Sequence, residues 1–299
     1  MRTTGPGLLA HAESLRAERT PFVLATVVRA QRPTSARPGD RALVLADGTI
    51  EGFVGGTCAE STVRLHGMRL LGTGESTLLR ITPEPSGEST VEGMVTVANP
   101  CLSGGEVDIF LEPQLPPALI EVLGDAPIAR ALHTVGEALG YDVRQADPAA
   151  EPPADAEAVL VASHGHDEED VLRAALRTDI AYIGLIASPR RGAAVLAALD
   201  VPGVERVHTP AGLDIGARTP EEIALSVYAE LIASRPRRPA REPEPVAAPA
   251  EAIDPVCGMS VAVAAGAPHV THAGRTYHFC GPGCAHAFTD SPARYLTDG

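Results

Sequence analysis

Three cysteines, Cys257, Cys280 and Cys284, lie in the segments DPVCGM and YHFCGPGC of the sequence. They are three of the five cysteines in the chain. Thiolates with nearby histidine and aspartate suit Zn(II) or Cu(I), and iron is a further alternative. The segment 253–299 is too short to bury much of a core, and folds of that size usually need a metal, a disulfide or a partner. We therefore predict a small metal-binding domain at 253–299.

The fourth ligand of this site stays open. The candidates are Asp254, His272, His278 and His286. A Cys280–Cys284 disulfide is the alternative, and a cytoplasmic setting disfavours it. An odd number of unevenly spaced cysteines, no secretory signal and no apolar run of about 18 residues predict a cytoplasmic protein.

A further thiol, Cys58, follows Gly55, Gly56 and Thr57, between a predicted strand and a predicted helix. Glycines let the backbone turn tightly and approach a ligand closely. N–H groups at a helix start bind anions and lower the pKa of a cysteine. The alternative is a small buried cysteine in a strand–helix turn.

Cys101 lies in the loop sequence NPCLSGG, and loops often carry function. If Cys58 and Cys101 converge, they could carry a persulfide or hold a soft metal ion. An inert loop cysteine is the alternative.

The loop 32–39 contains Arg32, Ser35 and Arg37. Its guanidinium and hydroxyl groups could hold a phosphate through charge-assisted hydrogen bonds. An ordinary solvated turn is the alternative.

A weak dinucleotide signal begins at Gly124. A dinucleotide fingerprint has the form G-x-G-x-x-G/A, but here Ala126 replaces the middle glycine and Pro127 follows it. Asp147 follows the next strand, where an acid that binds ribose would lie. Binding of NAD(P) is therefore an open alternative.

His164, His166 and Asp167 follow a third predicted strand, at the edge where such sheets bind ligands. They could bind a metal or transfer protons. The alternative is a polar turn in which Asp167 caps the next helix.

The elements around these residues predict three domains. Residues 1–116 form an α+β domain with a strand at Phe22–Ala30, a hairpin turn at Asp47-Gly48 and a helix from Cys58. Residues 117–234 alternate strands and helices, which predicts a Rossmann-like, doubly wound α/β domain. The segment 235–252 holds five prolines and is predicted to be an extended linker that separates the metal tail from everything before it.

Composition excludes several classes of function. The formal net charge is −14 and no basic stripe is present, so neither nucleic acid nor an anionic membrane is an expected partner. All 24 basic residues are arginines, which excludes a Walker A loop and a Schiff-base lysine.

Several segments resemble a known family. TSARPGDRALVLADG, GFVGGTCAE and PCLSGGEVDIFLEP resemble the N-terminal domain of the XdhC/CoxI family. ASHGHDEEDVLRAAL, AYIGLIASPRR and VHTPAGLDIGARTPEEIALSVYAEL resemble the Rossmann domain of that family. DPVCGM and YHFC resemble a YHS/TRASH metal-binding domain.

This resemblance implies a maturation factor for molybdenum hydroxylases such as xanthine dehydrogenase or CO dehydrogenase. Such a factor binds molybdenum cofactor (molybdopterin), assists its sulfuration with a cysteine desulfurase, and helps to insert it into the client enzyme. The Gly-Gly-x-Cys motif of the family matches Gly55, Gly56 and Cys58, and its second loop matches Cys101. The rival hypotheses are an NAD(P)-dependent oxidoreductase and a metal sensor or storage protein, and a homodimer is an open alternative.

Overall fold

The computed structural model describes residues 6–83, 89–91, 93–98, 105–235 and 249–296. The chain divides into two compact units, Met1–Pro116 with Glu242–Gly299, and Pro117–Arg241. Within these described ranges, no helix has both the length and the apolar character needed to cross a bilayer.

The first unit is built on a mixed sheet of seven strands, in the order β3-β2-β1-β7-β4-β6-β5. Its elements are α1 (Pro6–Ala17), β1 (Phe22–Gln31), β2 (Arg41–Leu45), β3 (Ile50–Gly52), α2 (Thr57–Thr73), β4 (Thr77–Thr82), β5 (Ser89–Val91), β6 (Met94–Ala98) and β7 (Glu106–Gln114). The strand predicted at Phe22–Ala30, the hairpin and the helix through Cys58 are confirmed. Sequence analysis missed β4, β5 and β6.

Helix α2 covers one face of this sheet. Val63 on the helix shares a core with Val23, Val44 and Ile109 from the strands, and all four side chains are fully buried. Such burial of branched apolar side chains is the main stabilising contribution to a small domain. This packing fixes α2, which carries Cys58 in its first turn, on that face of the sheet.

The second unit is a parallel sheet of five strands, in the order β12-β11-β10-β8-β9. Its elements are β8 (Leu119–Leu123), α3 (Pro127–Ala138), β9 (Asp142–Gln145), β10 (Ala156–Val161), α4 (Glu168–Leu176), β11 (Tyr182–Leu185), α5 (Pro189–Leu199), β12 (Val207–His208) and α6 (Pro220–Ser234). α3 and α6 pack on one face and α4 and α5 on the other, so the predicted doubly wound fold is confirmed. Thr219 caps α6 in a capping box with Glu222.

The tail of the chain completes the first unit. It contains β13 (Glu251–Ile253), β14 (Ser260–Ala262), β15 (His269–His272), β16 (Arg275–His278), α7 (Pro282–Asp290) and α8 (Pro292–Tyr295). β13 pairs with β14 and β15 pairs with β16, both antiparallel. Phe279 and Phe288 are fully buried and pack against each other as the core of the tail.

The position of the tail differs from the sequence prediction. We expected the linker 235–252 to separate the tail from everything before it, but the tail packs on α2 in the first unit. Glu251 and Ala252, the last residues of the predicted linker, pair with β14 instead of extending freely. Residues 236–248 of the linker lie outside the described ranges.

Candidate metal centre and thiol site

Four side chains of the tail place their donor atoms within 4.8 Å of one another: Asp254, Cys257, Cys280 and Cys284. The Sγ atoms of Cys257 and Cys280 are 3.7 Å apart, and those of Cys280 and Cys284 are 3.5 Å apart. A disulfide requires about 2.05 Å, so these residues are present as thiols. The structure therefore brings together the three cysteines predicted to bind a metal.

Three short elements position these thiols. Cys257 lies in the turn between β13 and β14, and Cys280 follows β16. Cys284 lies in the first turn of α7, which begins at Pro282, a residue suited to a helix start because its missing N–H would have no partner there. The Asp-Pro-Val-Cys turn and the Cys-Gly-Pro-Gly-Cys turn thus face each other.

Asp254 holds the two turns together. Its side chain is completely buried, and its two oxygens accept the backbone N–H groups of Val256 at 2.9 Å and Cys280 at 2.8 Å. A buried carboxylate requires such donors, because burying it without partners is costly. Of the four proposed fourth ligands, Asp254 is the one that reaches the cluster, but both of its oxygens already organise the turns.

No histidine in the described part of the chain belongs to this group of donors. His272 and His286 are exposed, and the ring of His278 lies 5.9 Å from the ring of His269 in a tilted arrangement. The histidine alternatives for the fourth ligand are therefore not supported by the geometry.

The three tail thiols perturb one another. Hydrogen bonding to Cys257 and to Cys58, together with burial, raises the pKa of Cys280. Burial raises the pKa of Cys284 to about 12, whereas the hydrogen bond with Cys280 lowers the pKa of Cys257. A soft cation favours thiolates at such a site, since a coordinating thiol is deprotonated. The donor set fits a soft or borderline metal ion such as Zn(II) or Cu(I).

Cys58 lies against this cluster. It packs on the buried side chains of Met259, Val261 and Cys280, the same cluster on which Cys257 and Cys284 pack. Its thiol forms a hydrogen bond with Cys280. Sequence analysis assigned Cys58 and the tail to separate sites, but the structure joins them.

The tail sits closely on the start of α2. A Cβ added to Gly281 would lie 2.4 Å from Cγ2 of Thr57, which leaves room for glycine alone. At the other end of the contact, Arg69 on α2 pairs with Glu251 on β13 at 2.6 Å. The tail is thus held at both ends of the helix.

The glycine turn before Cys58 has the expected conformation. Gly55 is buried with φ +142°, a value that favours glycine, and Gly56 is the N-cap of α2. No side chain caps this helix start, and Glu60 is the acid in its first turn. In general, the first backbone N–H groups of an α-helix have no partner within the helix, and such a helix start can bind an anion.

The arginine loop lies next to this turn. Ala36 is buried, and its Cβ is 3.8 Å from the position that a Cβ on Gly55 would take. Arg32, Ser35 and Arg37 are exposed. The loop is thus fixed by Ala36 while its charged groups face solvent.

The predicted convergence of Cys58 and Cys101 stays a prediction, because Cys101 lies outside the described residues.

The second unit has a cavity of about 690 Å³ at the carboxyl edge of its sheet. Its walls are His164 and Arg191, the start of α3 at Ile128, and the loop 210–217. Ligand sites commonly have volumes of about 300–1,000 Å³, and parallel sheets bind ligands at this edge. His164 is the residue among the candidates in this unit that lines the cavity.

The other candidates of the second unit have local roles. Gly124 approaches the backbone of Ala162 so closely that an added Cβ would lie 2.6 Å from its oxygen. The carboxylate of Asp147 accepts the N–H of Ala149 at 2.9 Å and closes its own turn. His166 is exposed, and its Nδ1 lies 3.2 Å from the carbonyl oxygen of Ser163. None of these side chains lines the cavity.

Sequence analysis missed the pair formed by Glu168 and Arg191 at this cavity. Glu168 is buried, and its carboxylate accepts the N–H of Gly165 at 2.7 Å and the guanidinium of Arg191. Asp167, which we considered as a helix cap, takes a left-handed conformation and makes no side-chain cap. Glu168, the next residue, is therefore the acid that organises this turn.

Comparison with known proteins gives three family matches. The model of the XdhC and CoxI family matches residues 15–82, the XdhC Rossmann domain matches 120–231, and the YHS domain matches 252–298. These matches have the predicted order.

Curated relatives match parts of the chain. An uncharacterized protein YqeB of Escherichia coli (strain K12) is 30% identical over 257 residues, which are 75% of this chain and 46% of that protein. A protein of Bacillus subtilis (strain 168), described as a probable subunit of xanthine dehydrogenase, is 38% identical over 80 residues, 27% of this chain and 24% of that protein. A copper-transporting P-type ATPase of Rhizobium leguminosarum bv. viciae is 50% identical over 44 residues, 15% of this chain and 5% of that protein. The chain spans less than half the length of each of these relatives.

Among solved structures, a xanthine dehydrogenase from Bacillus halodurans aligns with 79% of this chain and 98% of its own. The TM-score is 0.37 and the sequence identity is 18%.

Proposed function

Because this chain is a member of the XdhC and CoxI family that ends in a YHS domain, we propose that it is a maturation factor for a molybdenum hydroxylase. In this role it binds molybdenum cofactor, assists its sulfuration and helps to insert it into the client. The observation that carries the proposal is Cys58, placed by Gly55 and Gly56 on the first turn of α2 within the matched family domain. The relative from Bacillus subtilis, whose name refers to xanthine dehydrogenase, supports this class of client.

Cys58 is the sulfur carrier in this proposal. Its thiolate attacks the sulfane sulfur of a persulfide on a cysteine desulfurase. A new S–S bond forms on Cys58 as the S–S bond of the donor breaks, and the desulfurase leaves as a thiolate. A helix start favours the attacking thiolate, because its N–H groups and dipole stabilise negative charge. Cys101 is proposed as a second sulfur-handling residue.

The cofactor phosphate is proposed to bind beside this cysteine. Arg32 and Arg37 supply positive charge, Ser35 supplies a hydroxyl group, and the N–H groups of the helix start at Gly56 and Thr57 complete the set of donors. The side chains of the arginine loop are exposed, which leaves them accessible to a large anion. Bound molybdenum cofactor would supply the acceptor for the sulfur atom that Cys58 carries.

The cavity of the second unit is proposed to take an anionic ligand such as a nucleotide. Its wall contributes the imidazole of His164 and the guanidinium of Arg191, both suited to an anionic group. Asp147 closes its own turn and Gly124 serves backbone packing, so the features expected of a dinucleotide site are used elsewhere. The oxidoreductase alternative, with NAD(P) in this cavity, is therefore less favoured.

The tail is proposed to bind zinc, copper or iron through Cys257, Cys280 and Cys284. A copper ion would be pertinent for a client of the CO dehydrogenase type. We place the protein in the cytoplasm, where its thiols stay reduced.

The test is metal and pterin analysis of the protein purified anaerobically from a cofactor-producing host. We expect molybdopterin on the wild type and its loss from Cys58→Ala. Wild-type protein without pterin but with bound NAD(P)H would overturn the proposal in favour of an oxidoreductase. An unchanged circular dichroism spectrum and an unchanged unfolding temperature in both proteins confirm that the variant is folded.

A further inference from the structure

We infer that Cys58 is the fourth thiolate ligand of the tail metal centre, so that one soft cation is bound by both the N-terminal domain and the tail. The inference goes beyond the proposed function, because it holds whether or not the chain binds a pterin. It assigns a composite site made of Cys58, Cys257, Cys280 and Cys284.

The first argument is the number of ligands. A structural site for Zn(II) is almost always tetrahedral with four protein ligands, and three thiolates are most often completed by a histidine or a further cysteine. No histidine in the described ranges reaches the cluster. Cys58 lies beside it: Cys58 packs on the buried side chains of Met259, Val261 and Cys280, as Cys257 and Cys284 do, and its thiol hydrogen-bonds to Cys280.

The second argument concerns the competing ligand. Asp254 lies within the cluster, but its two oxygens each accept a backbone N–H, from Val256 and from Cys280. A carboxylate that turned toward a metal ion would weaken these bonds in a completely buried position. Asp254 is therefore assigned to positioning the turns, and Cys58 to ligation.

The third argument is the close fit between the two parts. Gly281, the sequence neighbour of Cys280, lies against Thr57, the sequence neighbour of Cys58, without room for a Cβ. Gly48 and Ala264 are similarly close, with 2.6 Å between the Cβ of Ala264 and the position of an added Cβ on Gly48. These two contacts thus hold the tail against the N-terminal domain that carries Cys58, as a preorganised metal site requires.

The experiment is zinc K-edge X-ray absorption of the full chain, loaded with one equivalent of zinc under anaerobic conditions. Zn–S bonds are about 2.3 Å and Zn–N or Zn–O bonds about 2.0–2.2 Å, so the two kinds of ligand are resolved. We expect four sulfur neighbours in the wild type. We expect three sulfurs and one lighter atom in Cys58→Ser, with zinc affinity reduced at least 10-fold, because even outer-sphere partners contribute 10- to 100-fold.

Cys101→Ser is the matched control. It also tests the inference without changing Cys58, so the result does not depend on whether Cys58→Ser folds. The chain has five cysteines, so in Cys101→Ser four sulfur neighbours require Cys58 together with the three tail cysteines. Three sulfurs in the wild type, or four sulfurs retained in Cys58→Ser, would overturn the inference. Loss of a sulfur in Cys101→Ser would assign the fourth position to Cys101 and would also overturn it.

Discussion

The carboxylate of Asp254 accepts the backbone N–H of Cys280 at 2.8 Å, and so links the turn before β14 to the turn before α7. Its other oxygen accepts the N–H of Val256 at 2.9 Å. Both turns carry clustered thiols. The geometry of the candidate metal centre therefore depends on a residue that we assign no metal bond.

Removing this carboxylate should loosen the tail even without metal. Asp254→Ala leaves two backbone donors unsatisfied, one of them at the buried Cys280, and each such group costs about 1–3 kcal/mol. We expect the amides of Val256 and Cys280 to exchange with deuterium at least about 30-fold faster, since 1.4 kcal/mol corresponds to tenfold. Asp290→Ala, at an exposed position of the same domain, is the control and should leave these rates unchanged. Equal exchange in both variants would refute the linking role of Asp254.

Gly281 offers a test of the contact between the tail and α2. A Cβ at this position would lie 2.4 Å from Thr57, and overpacking of this kind typically costs about 1–3 kcal/mol. Gly281→Ala should therefore weaken docking of the tail and expose Cys58. We expect faster alkylation of Cys58 in metal-free protein, measured by peptide mass spectrometry.

Gly283→Ala is the matched control for that measurement, because nothing lies within 4 Å of an added Cβ there. It changes a glycine to alanine in the same turn and should leave the alkylation rate of Cys58 unchanged. An equal increase in both variants would show that the rate does not report docking.

Sequence reasoning predicted most of the fold but not this docking. Local signals located β1, the hairpin at Gly48 and the alternating elements of the second unit, because hydrophobic periodicity and glycine turns act over a few residues. The short strands β5 and β6 were missed, and no residue of either strand is fully buried. The spacing of the three tail cysteines located the tail site in the same way, because it is a signal within one short segment.

The contact between Cys58 and the tail could not be predicted from such local signals. The two parts are joined through a proline-rich segment whose composition is typical of a separating linker. The contact depends on shape, on the absence of a Cβ at Gly281 and on the burial of β14, where Val261 and Ala262 are 1% exposed. Spacing along one sequence carries no information on such long-range complementarity.

The ion pair of Glu168 and Arg191 should stabilise the cavity wall of the second unit. Arg191→Ala leaves a buried carboxylate without its counter-charge, which costs about 3–5 kcal/mol in a fully buried pair. Arg191 is 33% exposed, so we expect roughly 2 kcal/mol. Deuterium exchange at Gly165, whose N–H is bound by Glu168, should then accelerate about 30-fold.

The neighbouring residue supplies the control for this pair. Arg190 is exposed, and Arg190→Ala removes the same type of side chain from the same helical turn. In Arg190→Ala, the deuterium exchange rate at Gly165 should match that of the wild type. If both variants behaved alike, the buried pair would have no stabilising role.

His66 on α2 should make the first unit sensitive to acid. Burial, and secondly the charge of Arg69, lower the pKa of His66 to about 4, although Glu251 acts in the opposite direction. An unfolded histidine has a pKa of about 6.5, so between these values the unfolded chain binds more protons and the folded state loses stability as the pH falls. The contribution is fully present above about pH 6.5 and decreases by about 1.4 kcal/mol per pH unit below it.

The lowered pKa of His66 predicts how much stability the first unit loses on acidification. Between pH 7 and pH 5, wild-type stability of the first unit should fall by about 2 kcal/mol more than that of His66→Gln, which does not titrate. His166→Gln, at an exposed position of the second unit, is the control for removing an imidazole. Urea unfolding followed by deuterium exchange in α2 measures the first unit separately, which is needed because a chain of two units need not unfold in one step. Parallel pH profiles for wild type and His66→Gln would mean that His66 is not the source of the acid sensitivity.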